Sequence, residues 1–323
     1  MSTVLVVGLG VTGAAVARSL VAHGDAVVVV DDAPGPAARA VAGELGLDLV
    51  SAPTDRELGR VLAGGVEALV PAPGLPARHP VFALAAAAGV PVLSEFDLAA
   101  RWDDRPLLAV TGTDGKTTVT TLVCEMLLAS GLRAVTVGNT PVPLVAAIDD
   151  PAVDVFVVEA SSFRLEHSQR FAPAVATWLN FAADHLDSHP DLPAYEAAKA
   201  RIWRDQSADQ VAVGNADDRV VAGHLATAPA RRLTFSIAAP ADFHVVGNTL
   251  VGPDGVSLAA VDELPRAFPH DVANALAASA TALAGGASPE GVRRALVAFR
   301  GLPHRVALVG EAGGVRFYDD SKA

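Results

Sequence analysis

The residues best suited to chemistry stand together at 109–118, Ala-Val-Thr-Gly-Thr-Asp-Gly-Lys-Thr-Thr. Leu107 to Val110 is a short apolar run that predicts a buried strand. Thr111 to Lys116 is a tight loop with glycines at 112 and 115. From Thr117 to Ser130 the spacing is helical, with Val119, Leu122, Val123, Met126 and Leu127 on one face. Strand, glycine loop, Lys-Thr and helix form the layout of a phosphate cradle. Loop N–H groups face an anion, Lys116 supplies a point charge, Thr117 is placed to ligate Mg²⁺, and the helix N-terminus favours negative charge. The pattern is G-x-x-G-K-T, because Val110 stands where the longer GxxxxGK[ST] motif needs glycine.

Lysine usage directs attention to two further positions. Lys and Arg total 24, yet the lysines are only Lys116, Lys199 and Lys322. An amine persists where a guanidinium does not serve, either as a compact charge or as a nucleophile able to lose its proton. Lys199 lies in a predicted helix over 193–204, amid Tyr195, Ala198 and Ile202, where an ordinary reading is a solvated surface charge. Polar residues also follow four consecutive predicted strands. Thr111 begins the loop, Gly138-Asn139 follows 133–137, Glu159 and Ser161-Ser162-Phe163 follow 153–158, and Asn180 with Asp184-His185-Leu186-Asp187 follows 174–179. Ligands gather at the carboxyl ends of strands in open parallel sheets, so four such ends after a phosphate loop predict a site.

A fold that positions these residues is legible in the alternation of elements. TVLVV (3–7), then Gly8-Leu9-Gly10-Val11-Thr12-Gly13, a helix to about His23 and a strand 26–30 ending at Asp31 make a GxGxxG fingerprint with a distal carboxylate. Helices over 36–45, 54–63, 80–88 and 95–101 alternate with strands 47–50, 67–70 and 91–93, and the turn Pro71-Ala72-Pro73-Gly74 lies among them. Trp102 to Pro106 reads as a linker. After it come the phosphate-loop domain, further strands at 209–214 and 231–235, an antiparallel flap over 243–258, and helices 270–285 and 288–299. Gly301 to Arg305 reads as a second linker, followed by strands 306–310 and 314–318. The expected fold class is α/β: a Rossmann-like domain (1–104) and a P-loop domain with a parallel sheet and a small antiparallel flap (105–300), after which 301–323 begins something new that is too short for a domain. With 323 residues, half of them hydrophobic, the chain has material for such cores. Its single cysteine, Cys124, excludes intrachain disulfides and cysteine-rich metal sites and fits a reducing cytoplasm. A formal charge of −12 argues against nucleic acid, and no leader or membrane span is expected.

On these residues the chain resembles the Mur ligase family along its whole length. The segments VVGLGVTG, PAPGLPARHP, VTGTDGKTT, GNTPVP, VEASSFRL, LNFAADHLDSH, YEAAKARI, HDVANALAA, GLPHR and DDSKA carry the likeness in the family's order. The resemblance implies an ATP-dependent amide ligase of peptidoglycan synthesis, a cytoplasmic monomer closest to the branch that adds D-glutamate to UDP-MurNAc-L-Ala through an acyl phosphate. It implies that Gly112, Thr113, Asp114, Gly115, Lys116, Thr117 and Thr118 cradle ATP, with Asn274 at adenine and Arg305 and Asp320 near phosphates and ribose. Thr117, Glu159, His185 and Lys199, the last as a CO₂-derived carbamate, would hold two Mg²⁺ ions. Lys116, His185, Lys199 and Lys322 would serve catalysis. Val11, Thr12, Asp31, Gly74, Asn139 and Ser161 would hold the UDP-substrate. The resemblance also implies that 105–300 is an ATPase domain and that 301–323 opens a third α/β domain whose remainder the sequence does not contain, so the chain is expected to bind that substrate without ligating it.

Asp114 stands where the family usually has asparagine, Thr140-Pro141 where Ile-Gly is common, Arg164 where glutamine is usual, and Asp271 where asparagine is usual. A sibling ligase, a folylpolyglutamate synthase-like ligase and a nucleotide-binding module without catalysis stay open. A dehydrogenase built on the first glycine loop is the weakest alternative.

Overall fold

The computed structural model describes residues 2–186 and 188–322, so Asp187 of the predicted site loop lies outside the described residues. The first sheet has four parallel strands, β1 (Thr3–Val7), β2 (Ala26–Asp31), β3 (Leu49–Ser51) and β4 (Ala68–Pro71), in the order β3-β2-β1-β4. Helices α1 (Val11–Ala22), α2 (Pro36–Leu45), α3 (Asp55–Ala63) and α4 (Pro80–Ala88) connect and cover these strands. The expected strand at 91–93 is reduced to one bridge, Leu69 to Val92. Pro91 lacks an N–H to extend the ladder, and Ser94 already begins the capping box of α5 (Glu95–Trp102).

The second sheet is wholly parallel and has six strands: β5 (Leu107–Thr111), β6 (Ala134–Gly138), β7 (Val155–Glu159), β8 (Val175–Trp178), β9 (Val211–Asn215) and β10 (Arg231–Phe235). Their order is β10-β9-β8-β5-β7-β6. β5 is therefore central, and the chain leaves it for β6 and β7 on one side and β8 to β10 on the other. A crevice opens at the carboxyl ends where the winding reverses. One face of this sheet packs on α6 (Lys116–Ala129) and α11 (Pro269–Ala284), with α12 (Pro289–Ala298) layered against both helices. The opposite face carries α9 (Leu192–Arg204) and three short helices absent from the sequence reading, α7 (Leu144–Ala147), α8 (Ser162–Glu166) and α10 (Arg219–Leu225). All three span less than two turns, too short for periodicity to register. The flap is a three-stranded antiparallel sheet, β11 (His244–Val246), β12 (Thr249–Val251) and β13 (Ser257–Ala260). A last hairpin pairs β14 (Ala307–Ala312) with β15 (Val315–Asp319). Among the described residues no helix is long and apolar enough to cross a membrane.

Both connectors are pinned. Trp102 stacks on His23 of the first unit with ring centroids 4.0 Å apart. Arg105 pairs with Asp103 at 2.6 Å, lies 4.7 Å over the Phe156 ring, and donates to the carbonyls of Ile148, Asp150 and Val153. At the far end Arg266 donates to the carbonyls of Arg305 (2.8 Å) and Val306 (2.6 Å), and His304 and Val306 take left-handed backbone (φ 62° and 50°) on either side of Arg305.

Gly13 lets α1 settle against its own loop: a Cβ there would sit 1.8 Å from the Gly8 carbonyl oxygen. Gly13→Ala must displace backbone, so urea unfolding should show a loss of about 2 kcal/mol or more, the upper range for overpacking. A variant within about 0.5 kcal/mol of the parent would contradict this packing.

Candidate active site

The phosphate loop is held from the neighbouring strand. Asn180, just past β8, accepts the backbone N–H groups of Thr113 (3.0 Å) and Asp114 (2.9 Å) on Oδ1 and returns Nδ2 to the Asp114 carbonyl at 3.2 Å. This narrows the expected cradle. The N–H groups of Thr113 and Asp114 maintain the loop's shape, and anion binding falls to the start of α6 and Lys116. Gly115, the N-cap residue, has φ +83°, and a Cβ there would come within 2.7 Å of Asn274 Oδ1. Glycine thus lets α11 bring Asn274 against the loop. Asp114, Gly115, Asn274, Arg305 and Asp320 line one cleft of about 220 Å³, so three residues from distant parts of the chain meet the loop as expected from sequence. Arg305 reaches Thr117 Oγ1 at 3.2 Å, and Lys322 lines an adjoining cleft with Thr117 and Asn139.

Two of the three lysines converge on one carbonyl. Lys116 Nζ donates to Gly112 O at 3.0 Å and Thr113 O at 2.7 Å, and Lys199 Nζ donates to the same Gly112 O at 2.7 Å. The solvated-surface reading of Lys199 is wrong: it is 1% exposed and lies 4.5 Å above the Tyr195 ring. Burial lowers its amine from the ordinary lysine value to about 7, and the Lys116 charge adds to the fall. Lys116 is also lowered, by burial first, with Glu159 and Asp114 opposing.

Glu159 ends β7 with its carboxylate buried. Oε1 accepts Asn139 Nδ2 at 2.8 Å, while Oε2 has no hydrogen-bond partner among the described residues. The Thr111 and Ser161 hydroxyl oxygens are buried in the same condition. Such oxygens fit a hard cation that keeps several waters and phosphate oxygens in its shell. His185 stands apart. It has left-handed backbone (φ 53°), an exposed ring 3.4 Å from Asp184, and an edge contact with Tyr195. No group of three or more His, Cys, Asp or Glu able to hold a metal is assembled among the described residues.

On the first sheet, a Cβ on Gly8 would meet Ala72 Cβ at 2.9 Å, which brings the 71–74 turn and Gly74 beside the glycine loop. Val11 opens α1 exposed. Asp31 accepts Leu9 N (2.8 Å) on one oxygen and Ala33 N (3.0 Å) on the other, so it shapes the loop and keeps acceptor capacity on both oxygens. Thr12 is turned inward to Arg164 at 2.9 Å. Sequence reasoning gave no site role to Arg164 or Glu95, and placed Asn180 at the site edge without its part in holding the loop. The available signals were an arginine in place of glutamine and a carboxylate among the apolar residues of α5. Asp271, another of the departures, caps α11 through Phe268 N and pairs with Arg266 at 2.6 Å.

A parallel sheet with a Gly-Lys-Thr loop, a buried carboxylate and a second buried lysine on its carboxyl edge defines a nucleotide-dependent enzyme class. Residues 110–282 match the model of the Mur ligase middle domain, and residues 2–94 match that of the Mur ligase MurD-like N-terminal domain. The chain belongs to the Mur ligase family. A protein of Frankia casuarinae named UDP-N-acetylmuramoylalanine–D-glutamate ligase is 44% identical to it over 336 residues, covering 99% of this chain and 69% of that protein. One of the same name from Desulfosudis oleivorans is 40% identical, covering 99% and 71%. Among solved structures, a murein peptide ligase of Psychrobacter arcticus superposes with TM-score 0.60 at 20% identity, over 99% of this chain and 73% of that one. The UDP-N-acetylmuramate–alanine ligase of Thermotoga maritima gives 0.57 at 21%, over 99% and 74%. At such identities these structures speak for the fold alone.

The depressed Lys199 amine has a stability consequence. Between about 7 and the ordinary lysine value of 10.5 the unfolded chain holds the proton and the folded chain does not, so stability rises with pH across that window. Below about 7 the cost of the buried charge is fully present. In CO₂-free buffer Lys199→Met should therefore raise the unfolding free energy at pH 6, with the advantage shrinking progressively toward pH 10. Denaturant titrations at both pH values would reveal a pH-independent difference if the amine were ordinarily solvated.

Proposed function

We propose that the protein joins D-glutamate to UDP-MurNAc-L-Ala with ATP in peptidoglycan biosynthesis. The observation that carries this reading is the meeting of half-buried Lys116 and fully buried Lys199 on the Gly112 carbonyl, in a site that also holds the unpartnered Glu159 oxygen. A lysine cation for phosphate oxygens, with a carboxylate and a second, proton-releasing amine at the same strand edge, suits a reaction in which anions must be brought together. The names of the relatives supply the substrates.

In this reading residues 1–104 bind the UDP moiety, 105–300 form the ATPase, and 301–323 open the C-terminal domain. The substrate carboxylate attacks the γ-phosphorus of ATP, giving an acyl phosphate and ADP. The D-glutamate amine then attacks the acyl carbon, loses a proton and expels phosphate. Lys116 leaves its loop carbonyls for the phosphates, and the α6 N-terminus, Arg305 and Lys322 hold the anionic groups. Asn274 and Asp320 face the nucleoside, and Val11, Thr12, Gly74, Asn139 and Ser161 face the UDP-substrate. Thr117 and Glu159, with His185 and carbamylated Lys199 toward a second ion, would hold Mg²⁺. When bound, Mg²⁺ neutralises charge on the transferring phosphoryl group. A lysine with an amine near 7 is partly neutral at physiological pH, the form that attacks CO₂, and the resulting carbamate replaces a buried cation by an anion.

The test, on the protein extended to the length of its relatives because residues 1–323 alone are expected to bind UDP-MurNAc-L-Ala without ligating it, is ADP release in the presence of that substrate and D-glutamate, with ¹³C NMR after addition of ¹³C-bicarbonate. Lys116→Ala should lose at least about a hundredfold in kcat, the scale of a removed transition-state charge contact, while keeping UDP-substrate affinity. Lys199→Arg should be as damaging as Lys199→Ala and should abolish a carbamate resonance seen in the parent. An active Lys199→Arg enzyme, or a parent without that resonance, would refute the carbamate.

A further inference from the structure

We infer that Arg164 is a positioning residue that couples the glycine loop of the first sheet to the Glu159 carboxylate of the second. The inference rests on the functional reading above and adds to it a residue and a linkage between the two ligand sites. Arg164 lies on α8 and is 5% exposed. Its guanidinium donates to three different elements, each at 2.9 Å: Nε to Glu95 Oε1 on α5, Nη1 to Asn139 Oδ1 after β6, and Nη2 to Thr12 Oγ1 on α1. A guanidinium has donors only. Asn139 must therefore turn its oxygen to Arg164, which directs its amide Nδ2 to Glu159 Oε1 at 2.8 Å. That contact occupies Oε1 and leaves Oε2 as the oxygen offered to the phosphate site. At the other end, the Thr12 hydroxyl accepts from Nη2, so its own proton is free for an acceptor at the start of α1, where an anionic oxygen is favoured. One side chain thus sets a donor at the UDP-substrate end and an acceptor at the nucleotide end.

Glu95 balances the charge and is itself fixed, its Oε2 accepting Val145 N at 3.1 Å. The usual glutamine cannot reproduce this arrangement. Its single amide supplies two donors and an acceptor, so it does not dictate the orientation of Asn139 and cannot hold three acceptors in one plane.

Calorimetry on the protein would measure the Kd of Mg²⁺ with β,γ-imido-ATP, with and without saturating UDP-MurNAc-L-Ala. The parent should show at least about a fivefold ratio between the two, the lower range of coupled sites. Arg164→Gln combined with Glu95→Gln removes both buried charges together and should bring the ratio below about twofold, with each ligand still binding alone. Thr12→Val is isosteric and removes both the acceptor for Arg164 Nη2 and the hydroxyl donor at the substrate end, so it should also weaken UDP-MurNAc-L-Ala binding alone. It should lower the ratio in the same direction, and it decides the matter if the double variant does not fold. An unchanged ratio in a folded variant overturns the coupling, as does a parent ratio of one or a loss of both affinities with the ratio preserved. A parent that binds no UDP-MurNAc-L-Ala overturns the functional reading and the coupling with it.

Discussion

Burial of like charge governs the second sheet. Two ammonium groups approach the Gly112 carbonyl in a region largely closed to water, where each loses hydration and repels the other. Glu159 and Asp114 oppose the loss at Lys116, and Asp184 and Asp114 oppose it at Lys199, without restoring either amine to its ordinary value. The site is thus electrostatically incomplete in the protein alone, and an anionic ligand supplies what is missing. The loop is accordingly held by groups that do not depend on that ligand, chiefly Asn180 and the close approach of Asn274 at Gly115.

Topology explains why residues so far apart in sequence share this region. With β5 at the centre of an all-parallel order, the ends of β5, β7 and β8 are adjacent, and Thr111, Glu159 and Asn180 fall on one edge. The first sheet has the same logic on a smaller scale, with β1 between β2 and β4. Side chains tie the two units together. Arg164 reaches Thr12 and Glu95 from α8, and Ser19 on α1 donates to the Val145 carbonyl at 3.0 Å. An arginine and a glutamate buried as a pair are costly to separate, because removal of either leaves a charge without water or partner.

Most of the long elements were legible because their apolar period or alternation was strong, as in the helix after Lys116 and the strand 153–158. The phosphate loop was legible because glycine, lysine and threonine occupied a fixed offset between a strand and a helix. What was not legible depended on contacts between distant segments. Asp31 ends a strand as a ligand-binding carboxylate would, yet nothing local reveals that it holds Leu9 and Ala33. Lys199 was singled out by the rarity of its residue type, but its burial follows from how α9 lies against the loop. The short helices α7 and α8 are set by tertiary packing and carry too few residues to show a period.

The scarcity of lysine has a spectroscopic consequence. Amines are supplied only by Lys116, Lys199, Lys322 and the chain's α-amino group, and all three lysines border the phosphate loop or its adjoining cleft. Reductive methylation with ¹³C-formaldehyde would therefore place isotopic labels on the site itself and almost nowhere else. The lysine signals would separate an amine folded back on its loop, Lys116, from one open to solvent, Lys322, while Lys199, almost wholly buried, would take label only when the site opens. A handful of peaks would then track charge and solvation at the site without a full resonance assignment, an advantage that a protein of ordinary lysine content does not offer.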